Sequence, residues 1–182
     1  MNPLLFYATV CADGVWSGAS AAYTVGELVK QIQDADAKLL ICTAEFEQKF
    51  VEAAKQSNIP ASHILLLDAN TPKQWKLLAL NDRKNVLDYN GEKLEWTRLT
   101  TQKDCHDVTG CLLYSSGTTG LPKGARISHW NLMSCNPICM AAGDGYRAKC
   151  KREGRPFVFK VIAHLPMAHI AGIACKSQRP LV

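Results

Sequence analysis

The sequence predicts an α/β fold in which layered sheets are flanked by helices. Continuous apolar runs at residues 39–43 and 64–67 are typical of strands that are buried on both faces. Each run follows a segment whose apolar residues recur at helical spacing. Because helix and strand alternate at this spacing, we expect the two strands to pair in parallel.

The first helix is predicted to begin at Thr24. Thr24 and Glu27 have the spacing of a capping box, in which each side chain accepts a hydrogen bond from a backbone N–H at the helix start. The apolar residues that follow lie on one helical face: Leu28, Val29, Ile32 and Ala35. A second such face lies between the two strands and is formed by Phe46, Phe50, Val51 and Ala54.

Thr71-Pro72 has the form of an N-cap followed by a proline at the first helical position, so we expect a helix that ends near Leu80. Residues 81–109 are polar and predict a loop with a turn at Asn90-Gly91. Cys105 and His106 raise the alternative of a nucleophile and its base in this segment. A solvated loop is the interpretation we favour, because no third member of such a site is visible.

The next segment predicts a short strand from Cys111 to Tyr114, a loop, and a returning strand over residues 125–127. Ser128 is the expected cap of a helix that Pro137 kinks or ends. Residues 147–155 carry five basic side chains against the single carboxylate of Glu153. This pattern predicts a basic, solvated loop before a strand at residues 157–163.

Composition excludes several classes of protein. Hydrophobic residues make up 47% of the 182 residues and charged residues 20%, which is typical of a globular chain. The net charge of +5 is too small and too spread along the sequence to indicate a nucleic-acid partner, and we expect none. No apolar run reaches the roughly 20 residues that a membrane span needs, and no positive charge precedes the apolar start at residues 4–10, so we expect neither a span nor a secretory signal. The eight cysteines include no Cys-x-x-Cys pair and favour free thiols in a reducing compartment.

Residues 115–124 carry the strongest chemical signal. Ten residues hold four hydroxyl side chains, three glycines and Lys123 directly after an apolar strand. Glycines allow backbone amides to approach an anion, and hydroxyls and a lysine add donors suited to a polyphosphate. Gly124 follows the lysine where a Walker A loop has Ser or Thr, and the dinucleotide fingerprint is absent too. A flexible Ser/Gly turn is the alternative interpretation of this composition.

The segment Tyr114–Gly124, YSSGTTGLPKG, resembles the phosphate loop of the adenylate-forming acyl- and aryl-CoA synthetases, in particular the 4-coumarate–CoA ligase-like branch. Three further segments are similar to motifs of this family: Gly18–Thr24 with Glu27-Leu28, Ser128-His129 with Asn131-Leu132, and Leu165–Gly172. The chain departs from the family pattern at Ser20-Ala21, where Asn-Pro is usual, and at Trp130, where Arg is usual. Ala168 and Ala171 replace residues that are often aromatic.

The resemblance implies a ligase that joins a small carboxylic acid to coenzyme A in two steps, through an acyl-adenylate made from ATP with Mg²⁺. Lys123 and His169 are the catalytic residues that it implies, with His169 at the junction of the acyl and nucleotide sites. Thr118 or Thr119 would lie near Mg²⁺. The residues that would bind the nucleotide phosphates are Ser115, Ser116, Gly117, Thr118, Thr119, Gly120, Lys123 and Gly124.

The resemblance also predicts how much of such an enzyme the chain holds. Residues 1–182 are expected to form an incomplete N-terminal AMP-binding domain without the mobile C-terminal domain and its lysine. A non-catalytic remnant or a phosphate-binding module is therefore the alternative to an active ligase. The resemblance places the chain in the cytoplasm or the peroxisome. Apolar faces at residues 157–163 and 167–174 are expected to favour self-association.

Overall fold

The computed structural model describes residues 3–71, 74–87, 93–96, 98–115, 123–141 and 143–157. The sequence-based predictions for the Asn90-Gly91 turn, the strand after Phe157 and the Leu165–Gly172 motif lie outside these residues.

The described elements follow one another along the chain as six helices, six strands and two short 3₁₀ turns. They are α1 Pro3–Cys11, β1 Trp16–Ser17, α2 Val25–Asp34, β2 Leu40–Cys42, a 3₁₀ turn Ala44–Phe46, α3 Glu47–Gln56, a 3₁₀ turn Ala61–His63, β3 Ile64–Thr71, β4 Gln74–Ala79, α4 Gln102–Asp107, β5 Thr109–Ser115, β6 Lys123–Ser128, α5 His129–Ala141 and α6 Asp144–Arg152. The chain divides into two compact units, one formed by residues 1–18 with 95–182 and the other by residues 19–94.

The sheet of the 19–94 unit has the strand order β2-β3-β4. Strands β2 and β3 are parallel, with Leu40 opposite Ile64 and Cys42 opposite Leu66. The predicted parallel pairing of the two apolar runs is therefore confirmed. Helices α2 and α3 bury their apolar faces in one core with these strands, and the buried members are Leu28, Ile32, Leu40, Ala53, Ala54 and Ile64.

The helix predicted from Thr71 to Leu80 is wrong, because residues 74–79 form strand β4 antiparallel to β3. Leu77 lies opposite Leu67 and is buried, whereas the neighbouring Lys76 is exposed. Thr71 itself belongs to β3 and lies opposite Gln74 in this pairing. Pairing with an already buried strand outweighs a local helix-start signal, since it satisfies the backbone and buries Leu77 together.

The predicted capping box at the start of α2 is confirmed. The Thr24 hydroxyl accepts a hydrogen bond from the backbone N–H of Glu27 at 3.3 Å, and the Glu27 carboxylate accepts from the backbone N–H of Thr24 at 2.8 Å. The pKa of Glu27 is lowered, mainly by the hydrogen bond from the Thr24 backbone and to a smaller extent by the one from the Thr24 hydroxyl. The carboxylate form of Glu27 is therefore favoured at this helix start.

Replacing Thr24 by alanine should lower the free energy of unfolding by about 1 kcal/mol, because the first turn loses an acceptor for its N–H groups. Urea unfolding measures the loss. Thr43→Ala is the matched control, since Thr43 precedes a 3₁₀ turn without a side-chain capping bond. Because the pKa of Glu27 is lowered on folding, its contribution is present above its unfolded pKa and is lost as pH falls through the folded value. Equal losses at Thr24 and Thr43 would contradict the capping role.

The other unit contains a sheet of strand order β1-β5-β6, in which β1 is parallel to β5 and β5 is antiparallel to β6. The predicted returning strand is confirmed, with Cys111 opposite Ile127 and Leu113 opposite Ala125. The apolar chain start forms α1. Its Phe6 packs edge-on against Trp16 at 6.2 Å between ring centroids, in a core that also contains Cys111 and Leu113.

Two predicted loops contain helices. Residues 102–107 form α4, whose first turn is capped by the Thr101 hydroxyl accepting from the N–H of Asp104 at 3.1 Å. The Thr-x-x-Asp spacing was the available signal, and it has the same physical basis as the cap at Thr24. Most of the basic segment 147–155 belongs to α6, which buries only Cys150 and exposes its charged side chains. Straight-chain basic residues have good helix propensity, which explains this difference.

Ser128 caps α5 as predicted. The Ser128 hydroxyl accepts from the N–H of Asn131 at 3.2 Å, and the Asn131 side chain accepts from the N–H of Ser128 at 3.0 Å. Pro137 does not end this helix, which continues to Ala141. A proline at position 137 removes the backbone bond to the carbonyl four residues earlier, at Met133, and the helix continues through this position.

Candidate phosphate-binding site

The β5–β6 hairpin brings together the two ends of the predicted phosphate loop. Ser115 lies opposite Lys123, and Tyr114 lies opposite Gly124. Three of the predicted site residues therefore lie at the loop end of the hairpin: Ser115, Lys123 and Gly124. The others lie outside the described residues: Ser116, Gly117, Thr118, Thr119, Gly120 and His169.

Strand alternation assigns the side chains at this end to two faces. Cys111 and Leu113 enter the core, so Ser115 at the next alternate position lies on the same side of β5. Residues opposite one another in an antiparallel pair share a face, which adds Lys123 to this side. Tyr114 and Gly124 belong to the opposite face. The hairpin thus presents one hydroxyl and one ammonium group together.

The Lys123 side chain is exposed, and its ammonium group forms no ion pair or hydrogen bond with any of the described residues. Several other cations in the described part of this unit form ion pairs, such as Arg147 with Asp144 at 3.3 Å and Lys149 with Glu153 at 3.9 Å. An unpaired ammonium beside a hydroxyl suits a ligand with several anionic oxygens. The described donors at the hairpin end therefore fit a nucleotide phosphate.

Gly124 is tightly packed against Tyr114. A methyl group at Gly124 would lie 3.0 Å from Cζ, 3.1 Å from Cε1 and 3.2 Å from the hydroxyl oxygen of Tyr114. The φ of Gly124 is not in the positive range, so any residue could adopt its backbone conformation. The Tyr114 ring lies against the backbone next to Lys123. Sequence reasoning missed this role of Tyr114, although the residue opens the motif that carries the resemblance.

The side chain of Arg126, farther along β6, forms structural hydrogen bonds. Its Nε donates to the Thr109 hydroxyl at 2.5 Å, and its Nη2 donates to the backbone carbonyls of His106 and Asp107. These carbonyls end α4, where a cation is favoured by the helix dipole. Arg126 therefore holds α4 against the hairpin through its Nε and Nη2 donors.

Trp130, where the resembled family usually has arginine, stacks on His106 with 4.6 Å between ring centroids and 27° between the planes. His106 lies on the helix α4 and not in a loop, whereas its exposure agrees with the expected solvated segment. The contact gives His106 a packing role between α4 and α5.

The Gly18–Thr24 segment is held by a residue that the sequence did not single out. Lys49 on α3 donates to the backbone carbonyls of Ala21 at 3.1 Å and Tyr23 at 2.7 Å. Ser20, which replaces the usual asparagine, accepts a hydrogen bond from the N–H of Ala22 at 3.3 Å. The turn that departs from the family pattern is therefore fixed by backbone and lysine contacts.

The described cysteines are free thiols at positions 11, 42, 105, 111, 135 and 150. Burial, with a smaller effect of the Glu47 carboxylate, raises the pKa of Cys42 to about 12. Burial alone raises the pKa of Cys111 to about 11. Both thiols stay protonated at neutral pH and pack as small apolar groups.

The described part of the chain shows neither a metal-binding cluster nor a membrane-spanning helix. It contains no cluster of three or more His, Cys, Asp or Glu side chains placed to hold a metal ion. None of its helices combines the length and the apolar character needed to cross a bilayer.

Comparison with known families adds a match over nearly the whole chain. Residues 3–176 match the family model described as AMP-binding enzyme. A protein of Emericella nidulans that carries the name of an acyl-coenzyme A synthetase is 35% identical over 173 residues, which are 93% of this chain and 30% of the relative. A 4-coumarate–CoA ligase-like protein of Arabidopsis thaliana is 30% identical over 93% of this chain and 27% of its own length.

A further relative and a solved structure agree with these matches. A phenylacetyl-CoA ligase of Aspergillus niger is 28% identical over 92% of this chain and 29% of its own length. The crystal structure of ATP-bound MatB from Rhodopseudomonas palustris superposes with a TM-score of 0.62 and 26% identity, over 97% of this chain and 30% of MatB. The α/β fold class predicted from the sequence is confirmed by this likeness. The chain spans less than a third of the length of the relatives it matches.

Proposed function

The chain belongs to the family of AMP-binding enzymes, and from this premise we propose that it is the nucleotide-phosphate-binding part of an ATP-dependent carboxylate–CoA ligase. In the proposed reaction a carboxylate attacks the α-phosphorus of ATP, which forms an acyl-adenylate and releases pyrophosphate. The thiol of coenzyme A then attacks the acyl carbon, which forms the thioester and releases AMP. The names of the relatives support a carboxylic acid as the substrate class.

The pairing of Ser115 with Lys123 is the observation that carries this proposal. Negative charge develops on the leaving pyrophosphate, and donors held in place before the reaction stabilise such charge without further reorganisation. Lys123 supplies an ammonium and Ser115 a hydroxyl toward the β- and γ-phosphates. In this proposal Ser116, Gly117, Thr118, Thr119 and Gly120 bind the same phosphates along the loop.

Further roles follow from the same resemblance. Thr118 or Thr119 would hold Mg²⁺, which neutralises phosphate charge when bound. His169 would border the acyl side of the site. We place the chain in a reducing compartment, the cytoplasm or the peroxisome, and the free thiols of its described cysteines support this assignment.

We expect the 182-residue chain to bind inorganic tripolyphosphate but to show no carboxylate-dependent release of pyrophosphate from ATP. It spans 30% of the acyl-coenzyme A synthetase it matches, so much of the surface that orients both substrates is supplied elsewhere in such an enzyme. Titration followed by ³¹P NMR measures binding, and a coupled pyrophosphate assay measures turnover. Carboxylate-dependent turnover by the purified chain would contradict the second expectation.

Two alanine variants separate a specific site from general attraction between a basic chain and an anion. Lys123→Ala should weaken tripolyphosphate binding about 10-fold, the loss of one charge-assisted donor. Lys151→Ala is the matched control, because Lys151 is exposed on α6 and forms no ion pair among the described residues. The Lys151→Ala chain has the same net charge as the Lys123→Ala chain, and it should bind tripolyphosphate as tightly as the wild-type chain. Equal weakening by both variants would overturn the proposed phosphate site.

We also propose that the isolated chain self-associates. Large apolar side chains of its described part are exposed, among them Leu94 at 61% and Met133 at 64%. Exposed apolar surface of this kind drives association in water when no partner covers it. Sedimentation velocity should therefore show species larger than 20.0 kDa whose share rises with concentration. A single monomer boundary across a 50-fold range of concentration would contradict the proposal.

A further inference from the structure

We propose that Tyr114 is a positioning residue for Lys123, an inference that rests on the phosphate role proposed for that lysine. The two residues lie on opposite faces of the hairpin, so Tyr114 does not reach the phosphates beside Lys123. The Tyr114 ring instead packs on Gly124, the residue that follows Lys123 in the chain.

The contact is recognised by how closely the Tyr114 ring approaches the backbone at Gly124. At Gly124, a methyl group would stand 3.0 and 3.1 Å from two ring carbons of Tyr114 and 3.2 Å from its hydroxyl oxygen, closer than side chains normally pack. The glycine therefore permits direct contact between an aromatic ring and the peptide backbone. Since the backbone conformation of Gly124 does not itself require glycine, the Tyr114 ring is the reason for this residue.

Contact at Gly124 restricts the backbone from which the Lys123 side chain extends. Lysine has four rotatable side-chain bonds, and ordering such a side chain on a ligand has an entropic cost. A fixed Cα removes the backbone share of this cost before the phosphate arrives. The ring thus acts through Lys123, which predicts that its contribution depends on the presence of that lysine.

A double-mutant cycle in the purified chain tests this coupling, with tripolyphosphate as the probe and ³¹P NMR as the readout. Tyr114→Ala and Gly124→Ala should each weaken binding about 3- to 10-fold. In the double variant Gly124→Ala should have no further effect, because the ring with which its methyl group collides is gone. Tyr114→Phe keeps the ring and should bind within about twofold of the wild-type chain.

A second cycle distinguishes positioning from general support of the fold. In a Lys123→Ala background, Tyr114→Ala should cause no additional loss of binding, since there is no lysine to position. A purely structural tyrosine would weaken the residual binding by the same factor in both backgrounds. Circular dichroism checks folding, and Tyr114→Leu replaces Tyr114→Ala in every comparison if the alanine variant unfolds.

The outcomes separate this inference from the proposed function. If the wild-type chain binds tripolyphosphate in a Lys123-dependent way but the losses at Tyr114 and Gly124 multiply, the positioning role is wrong and the phosphate site stands. If the Gly124→Ala chain bound tripolyphosphate as tightly as the wild-type chain, the positioning role would also be wrong and the phosphate site would stand. If the wild-type chain does not bind the probe, or Lys123→Ala binds it equally well, both proposals fail.

Discussion

Replacing Lys123 by alanine is expected to slow adenylate formation about 30- to 1000-fold in a complete ligase that contains this chain, which corresponds to about 2–4 kcal/mol for one charged donor in a preorganised anion site. The second step should be nearly unaffected when preformed acyl-adenylate and coenzyme A are supplied. The physical reason is that Lys123, in the proposed site, would face the β- and γ-phosphates, which leave as pyrophosphate before the thioester forms. Single-turnover assays of each half-reaction measure the two rates separately.

Other variants of the proposed site provide the controls. Thr118→Ala and Thr119→Ala should show the same selectivity for the first step with smaller losses, because a neutral hydroxyl contributes less than an ammonium. His169→Ala should change the preference among carboxylic acids more than the handling of phosphate. If Lys123→Ala slowed both half-reactions equally, Lys123 would have a structural role, and the assignment to phosphate would be wrong.

Replacing Ile64 by alanine is expected to lower the free energy of unfolding by about 3–4 kcal/mol, which is within the usual range for a fully buried isoleucine. Ile64 is 2% exposed and lies at the start of β3, opposite Leu40 on β2. It belongs to the core that joins both strands to α2 and α3. The substitution therefore leaves a cavity where all four elements meet, and close-packed neighbours can fill it only in part.

Leu39→Ala provides the matched control for Ile64. Leu39 directly precedes β2 and is 52% exposed, so the same kind of truncation should change the free energy of unfolding by less than about 0.5 kcal/mol. Urea unfolding monitored by circular dichroism measures both variants. Similar losses at the two positions would show that Ile64 is not at the centre of a packed core.

Several elements of the fold are predictable from short stretches of the sequence. The capping box at Thr24 and the cap at Ser128 each involve a residue only three positions further along the chain, and both bonds form as expected. The parallel pair β2–β3 was also predictable, because two continuous apolar runs need burial on both faces. The two caps depend on residues close together in the sequence, and the two strands are indicated by their own apolar composition.

The errors arose where a distant partner decided the local structure. Residues 74–79 carry a helix-start signal before them, but β3 offers a complete ladder of backbone partners, and β4 forms instead. Lys49 acts on carbonyls more than 20 residues earlier in the chain, with separations of 28 and 26 residues, so no local pattern could indicate it. Arg126 similarly reaches the end of α4 from a neighbouring strand.

At the candidate site the sequence by itself determined the chemical groups, namely the run of hydroxyls, glycines and Lys123, together with the family to which they belong. Only the tertiary structure decided that Ser115 faces Lys123 across a hairpin and that Gly124 lies beneath the Tyr114 ring. The physical reason is that donor chemistry is a property of each residue, whereas opposition and close contact depend on the register of two strands. That register is established by the pairing of Cys111 with Ile127 and of Leu113 with Ala125, which lie toward the core and away from the loop.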